Sequence, residues 1–65
     1  METINIQTVK DLLKKKGIRQ NVFSKAIDMK DAGVSAAFHG KRTLPMKKIL
    51  VISKFLGVSP FTLVK

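Results

Sequence analysis

The sequence has no cysteine, tryptophan or tyrosine, and it has few acidic residues. Without cysteine, neither a disulfide nor a thiolate-bound metal ion stabilises the fold. The aromatic residues are four phenylalanines, so the core is expected to be aliphatic with a phenylalanine contribution. The apolar runs are far shorter than the ~20 residues of a membrane-spanning helix. The N-terminus also lacks the basic and apolar segments of a signal peptide, so we expect a cytoplasmic protein.

The charge of the chain is strongly one-sided. Thirteen Lys and Arg residues stand against four Asp and Glu residues, which gives the 65 residues a net charge of +9. In a folded domain such an imbalance indicates a polyanionic partner, nucleic acid before anionic membrane. One histidine and four acids offer no spacing for a metal site, a cofactor site or general acid–base catalysis. We therefore expect a single domain over residues 1–65 that is not an enzyme.

Apolar spacing and turn residues divide the chain into five short helices, preceded by a loose leader at residues 1–5. The first helix opens at about Thr8 and is stopped by Gly17. Ser59 and Pro60 supply an N-cap and a first helical residue for the last helix. The other predicted helices cover residues 20–27, 31–38, 46–56 and 60–64. Without a convincing strand, the predicted fold class is all-α, a compact five-helix domain.

Residues 20–40 predict two short helices around a tight turn. This is a helix-turn-helix, the unit that places its second helix in the major groove of DNA. Asp28 occupies the turn and must accept a left-handed backbone, which Asp tolerates better than most residues. We expect the two helices to bury Phe23, Ala26, Ile27, Val34 and one of Ala37 or Phe38. Motif and charge are independent signals, and both indicate DNA.

Several ordered segments carry a family resemblance. Gln20 begins the motif, and the apolar Phe23 and the small Ser24 follow at the expected spacing. Gly-Lys-Arg-x-x-Pro stands at residues 40–45 and Leu-Gly-Val-Ser at residues 56–59. In these features the chain resembles the lambda-repressor-like, Xre/Cro-type DNA-binding domain over about residues 6–64. The resemblance implies a five-helix fold and sequence-specific binding to double-stranded DNA.

The solvent face of the third helix is the predicted base-reading surface. The resemblance places base-reading positions on Lys30 and Ala36. The face has no Arg, Asn or Gln, so we expect Lys30 to reach guanine, Asp31 to accept from cytosine N4, and alanines to pack on thymine methyl groups. Sequence-dependent DNA shape is expected to contribute as well. The predicted base-reading residues are Lys30, Asp31, Ala32, Ser35 and Ala36.

A second set of residues is predicted to contact phosphate. The resemblance implies a phosphate clamp at Gln20, and His39 stands where relatives often carry a phosphate-binding Asn. Lys41 and Arg42 follow the recognition helix and are the best placed pair for the DNA backbone. Lys47 is predicted near the positive end of the fourth helix, where the helix dipole disfavours a cation. A nearby phosphate would explain a lysine at this position.

Family members usually bind two-fold operators as homodimers, with half-sites about one helical turn apart. We expect Phe61 and Val64 to form a weak dimer contact, made mainly on an inverted-repeat operator. Small size and high charge resemble a Cro-like phage repressor that acts by operator occupancy and takes no small-molecule ligand. The alternative is a protein-interaction module on the same fold, such as an antirepressor or an antitoxin. A membrane-active peptide is disfavoured because glycines and prolines interrupt the chain.

Overall fold

Four α-helices and two 3-10 helices make up the computed structural model, which describes residues 3–65. The α-helices are α1 (Ile6–Lys16), α2 (Gln20–Ala26), α3 (Asp31–Phe38) and α4 (Ile49–Leu56). The 3-10 helices are Met46–Lys48 and Pro60–Leu63. The all-α prediction is confirmed over these residues, but the number of α-helices is four and not five. The predicted fifth helix closes i to i+3 bonds, as from Thr62 N–H to the Ser59 carbonyl at 3.0 Å, the pattern of a short 3-10 segment.

The ends of α1 follow from local capping. The side chain of Asn5 accepts a hydrogen bond from Thr8 N–H at 3.3 Å, so the helix begins at Ile6, earlier than predicted. Gly17 ends the helix at φ 69°, and its N–H is directed to the carbonyls of Leu13 and Lys14. Three lysines occupy the last turn, where their charge complements the negative end of the helix dipole.

The segment before α1 is part of the fold. Ile4 is only 2 % exposed and pairs with Val64 in an isolated antiparallel bridge. The N–H of Asn5 donates to the Leu63 carbonyl at 2.6 Å. The structure therefore contradicts a loose leader for residues 3–5, because an apolar side chain in this segment is buried. The first two residues of that predicted leader lie outside the described residues.

Phe23 lies at the centre of the core. Its ring stacks on Phe38 with centroids 6.0 Å apart and meets Phe55 at the same distance with a 47° tilt. Ala26, predicted to be buried, is exposed, and Ser24 is buried in its place on α2. A small side chain at this position lets α2 approach its neighbours closely. The buried apolar residues are Ile4, Val9, Leu13, Phe23, Ile27, Val34, Ala37, Leu44, Ile52, Leu56 and Leu63.

Candidate nucleic-acid interface

The turn between α2 and α3 has the geometry of a helix-turn-helix. Asp28 adopts φ 57°, so the predicted left-handed turn residue is observed. The N–H of Met29 donates to the Ser24 carbonyl at 2.8 Å, which closes the turn onto the end of α2. Val34, fully buried, anchors α3 against the core. The anchor leaves the opposite side of α3 facing solvent.

The five predicted base-reading residues lie at the N-cap and along the first three-quarters of α3, and none is buried. Lys30 is the N-cap residue, but its side chain makes no capping hydrogen bond. Asp31, in the first turn, complements the positive end of the helix dipole. Lys30, Asp31 and Ala32 are exposed, while Ser35 and Ala36 are half-buried. Apart from Lys30, these side chains are short, which allows close approach to a groove.

The side chain of Asp31 has a partner inside the protein. The hydroxyl of Ser24 on α2 donates to Asp31 Oδ1. Ser24 is itself 1 % exposed. The sequence pattern predicted Asp31 as a base contact and contained no signal for this link between the two helices.

His39 is oriented by the end of α3. Its Nδ1 lies 2.8 Å from the Ser35 carbonyl, and a carbonyl can only accept, so Nδ1 carries the proton. Ser35 Oγ is also near, at 3.4 Å from Nδ1. The side chain is exposed. Its remaining nitrogen, Nε2, donates to an anion only when the imidazole is doubly protonated.

The other predicted phosphate contacts lie in the loop after α3, at the start of α2 and before α4. Lys41 and Arg42 are exposed in the loop after α3, where the N–H of Lys41 donates to the Ala36 carbonyl at 2.9 Å. Gln20 is half-buried and opens α2. Lys47 is exposed in the 3-10 helix before α4, not in an α-helical first turn. The helix dipole is therefore a weaker argument for a phosphate contact at Lys47. The exposure and the positive charge of the residue still favour that contact.

A basic hollow was not apparent from the sequence. Lys10 on α1, Arg42 and Lys65 line one surface depression at the C-terminal side of α3. Lys10 Nζ lies 3.5 Å from the Phe38 carbonyl, the last residue of that helix. These three cations are far apart in the chain, so no local pattern indicates that they meet. They extend the positive surface beyond the loop of Lys41 and Arg42.

An exposed apolar surface, here called the α4 patch, consists of Leu50, Val51, Pro60 and Phe61. Leu50 is 65 % exposed and Phe61 is 86 % exposed. Leu50, Val51 and Pro60 line one shallow depression. Sequence reasoning named Phe61 but missed Leu50 and Val51. The unbroken apolar run at residues 49–52 could have indicated them. It is wider than one buried helix face requires, so some of its side chains stay exposed. Val64, the other predicted dimer residue, is half-buried beside Ile4.

Comparison with known proteins identifies this arrangement. A family model described as helix-turn-helix matches residues 9–63. The chain belongs to the helix-turn-helix family. This confirms the Xre and lambda-repressor-like resemblance carried by the sequence motifs. No curated protein matches the chain.

A solved structure shares the helix-turn-helix fold. It is the restriction-modification controller protein C.AhdI from Aeromonas hydrophila, which superposes with a TM-score of 0.77 at 21 % sequence identity. The match covers 88 % of this helix-turn-helix protein and 86 % of the controller protein. At that identity the similarity concerns the fold.

Family membership supports a DNA-binding regulator of transcription with double-stranded DNA as its partner. Within residues 3–65, the helices are all too short or too polar to cross a membrane. The same residues bring no three His, Asp or Glu side chains together in a way that would hold a metal ion.

Proposed function

We propose that the protein is a sequence-specific repressor that acts in the bacterial cytoplasm, on the nucleoid, in the manner of Cro-like phage proteins. It occupies an inverted-repeat operator as a homodimer and blocks polymerase there. The observation that carries this proposal is the exposed, small-residue side of α3, anchored by the buried Val34 and followed by the exposed pair Lys41 and Arg42. Such a side fits a major groove, and the cations meet the flanking phosphates.

Base reading falls to the exposed and half-buried side chains at the N-cap and on the solvent side of α3. Lys30 reaches a guanine edge, and Ala32 and Ala36 pack on thymine methyl groups. The hydroxyl of Ser35 forms a hydrogen bond with either a donor or an acceptor on a base edge. Asp31 differs from these residues because the Ser24 hydroxyl donates to one of its carboxylate oxygens. Gln20, His39, Lys41, Arg42 and Lys47 contact phosphate. Lys10 and Lys65 join them through the hollow that they share with Arg42.

The α4 patch is the proposed dimer contact. The mostly exposed Phe61 follows Pro60, which shares a depression with the mostly exposed Leu50, and association would cover such a surface. Two free chains of charge +9 repel each other, whereas DNA phosphates neutralise that charge. The dimer therefore forms mainly on DNA. Phe61 is central to the contact, and Val64 supports it from the adjoining chain end.

Selection of binding sites from a random duplex library tests the proposal, at a salt concentration of about 150 mM that suppresses nonspecific phosphate attraction. The expected result is an enriched inverted repeat with half-sites about one helical turn apart. An enriched single half-site would contradict the dimer. Binding without enrichment would contradict sequence-specific repression. Absence of binding would favour the alternative, a protein-interaction module such as an antirepressor or an antitoxin.

A further inference from the structure

Asp31 is out of place on a surface that meets DNA. It is the one acidic residue within α3 and stands at the helix end nearest the proposed base contacts. A free carboxylate there would face the phosphates of the groove walls and repel them. The negative charge stabilises the N-terminus of α3 through the helix dipole. The protein keeps this stabilisation without repelling DNA only if the carboxylate is held away from the phosphates.

The Ser24 hydroxyl explains how the charge is held. Ser24 Oγ approaches Asp31 Oδ1, seven residues along the chain, and also lies 3.1 Å from the carbonyls of Gln20 and Asn21. A hydroxyl has one proton to donate. The carboxylate is charged and therefore the strongest of the three acceptors. The proton of a buried hydroxyl on α2 is thus directed to the first residue of α3.

We propose that Asp31 is a positioning residue that reads no base. Its hydrogen bond with Ser24 ties the first turn of the recognition helix to α2 and turns a carboxylate oxygen away from the base edges. The tie also supports a helix start whose N-cap residue, Lys30, makes no side-chain cap. This inference rests on the proposed function and replaces the expected cytosine contact of Asp31.

A double-mutant cycle without DNA tests the tie itself. The proteins are the wild type, Ser24→Ala, Asp31→Ala and the double variant, each followed by thermal unfolding. Asp31→Ala also removes the helix-dipole interaction, but it does so in both backgrounds, and the cycle cancels that effect. We expect Asp31→Ala to lower Tm by roughly 5 °C more in the wild type than in the Ser24→Ala background. Equal shifts in the two backgrounds would overturn the inference.

Asp31→Asn is the matched variant in that cycle. Its Oδ1 still accepts from the Ser24 hydroxyl, but the negative charge is gone. We expect the asparagine variant to retain part of the coupling with Ser24 that the alanine variant loses, because its hydrogen bond is neutral and weaker. If Ser24→Ala lowered the Tm of Asp31→Asn no more than it lowers the Tm of Asp31→Ala, a hydrogen bond would be excluded as the cause of the coupling.

Site selection from a random duplex library tests the consequence for DNA. Wild type and Asp31→Ala are expected to enrich the same bases at every position, because the tied carboxylate reads none. In Ser24→Ala the freed carboxylate can accept from cytosine N4, so we expect about a tenfold gain for cytosine at one position. The double variant should lose that gain.

Three outcomes of the selection would overturn the inference. The first is an altered motif for Asp31→Ala, which would show that the carboxylate reads a base. The second is an unchanged motif for Ser24→Ala. The third is an altered motif that survives in the double variant, which would show a shifted helix and not a freed carboxylate. If the wild type enriches no sequence, the proposed function fails, and the unfolding cycle alone decides the tie.

Discussion

Ile4 pairs with Val64, so the two ends of the described chain lie side by side. The N–H of Lys65 donates to the Thr3 carbonyl at 2.8 Å, and that of Asn5 donates to Leu63 at 2.6 Å. Ile4 itself is among the most buried residues of the protein. The segment before α1 is therefore a structural element that covers the core, and it lines the same hollow as Arg42 in the loop after α3.

Ile4→Ala is expected to lower the free energy of unfolding by about 2–4 kcal/mol, because it leaves a cavity at a buried site. For so small a domain this is a large share of the total stability. Chemical denaturation measures the change. Thr62→Ala, at an exposed position close to the same chain end, is the control and is expected to have little effect. A loss no larger than that of the control would mean that the N-terminal segment does not stabilise the core.

Arg42→Ala is expected to weaken DNA binding by a similar factor on every sequence. Loss of one phosphate contact also reduces the slope of log affinity against log salt by about 1. A salt titration of binding to specific and random duplexes measures both effects. Lys15→Ala removes the same charge from an exposed position on α1 and is expected to leave the slope nearly unchanged. Equal slopes for the Arg42 variant and the wild type would remove Arg42 from the phosphate contacts.

Phe61→Ser is expected to reduce cooperative binding to two half-sites while affinity for one half-site is kept. The side chain is almost fully exposed, so its loss does not open a cavity. Quantitative gel-shift titration on one-site and two-site duplexes gives the cooperativity. Val22→Ser, which replaces an exposed apolar residue on α2, is the matched control for the α4 patch. Unchanged cooperativity in the Phe61 variant would place the dimer contact elsewhere.

Local patterns predicted the helix-turn-helix well. The bounds of α3 are Asp31–Phe38, as predicted, because the apolar spacing, an acid in the first turn and a glycine after the last turn act within a few residues. Asp28 has the left-handed backbone that its place in the motif requires. The stop signal at Gly17 is also observed, with a positive φ. These features depend on neighbours along the chain.

Features that join distant residues were not predictable in the same way. The bridge of Ile4 and Val64 spans the whole chain, and nothing near Ile4 indicates its partner. The uncovered side of α4 was also not predicted, although the apolar run at residues 49–52 is wider than one buried helix face requires. The roles of the predicted DNA and dimer contacts remain predictions.

The shortness of α3 has a thermal consequence. Eight residues are too few to stay helical in water without tertiary contacts, so the recognition helix exists only while Val34 and Ala37 are packed in the core. The DNA-reading surface and the whole domain must then melt together. Operator release on heating is accordingly expected to be abrupt, following the cooperative unfolding curve and not a gradual loosening of single contacts.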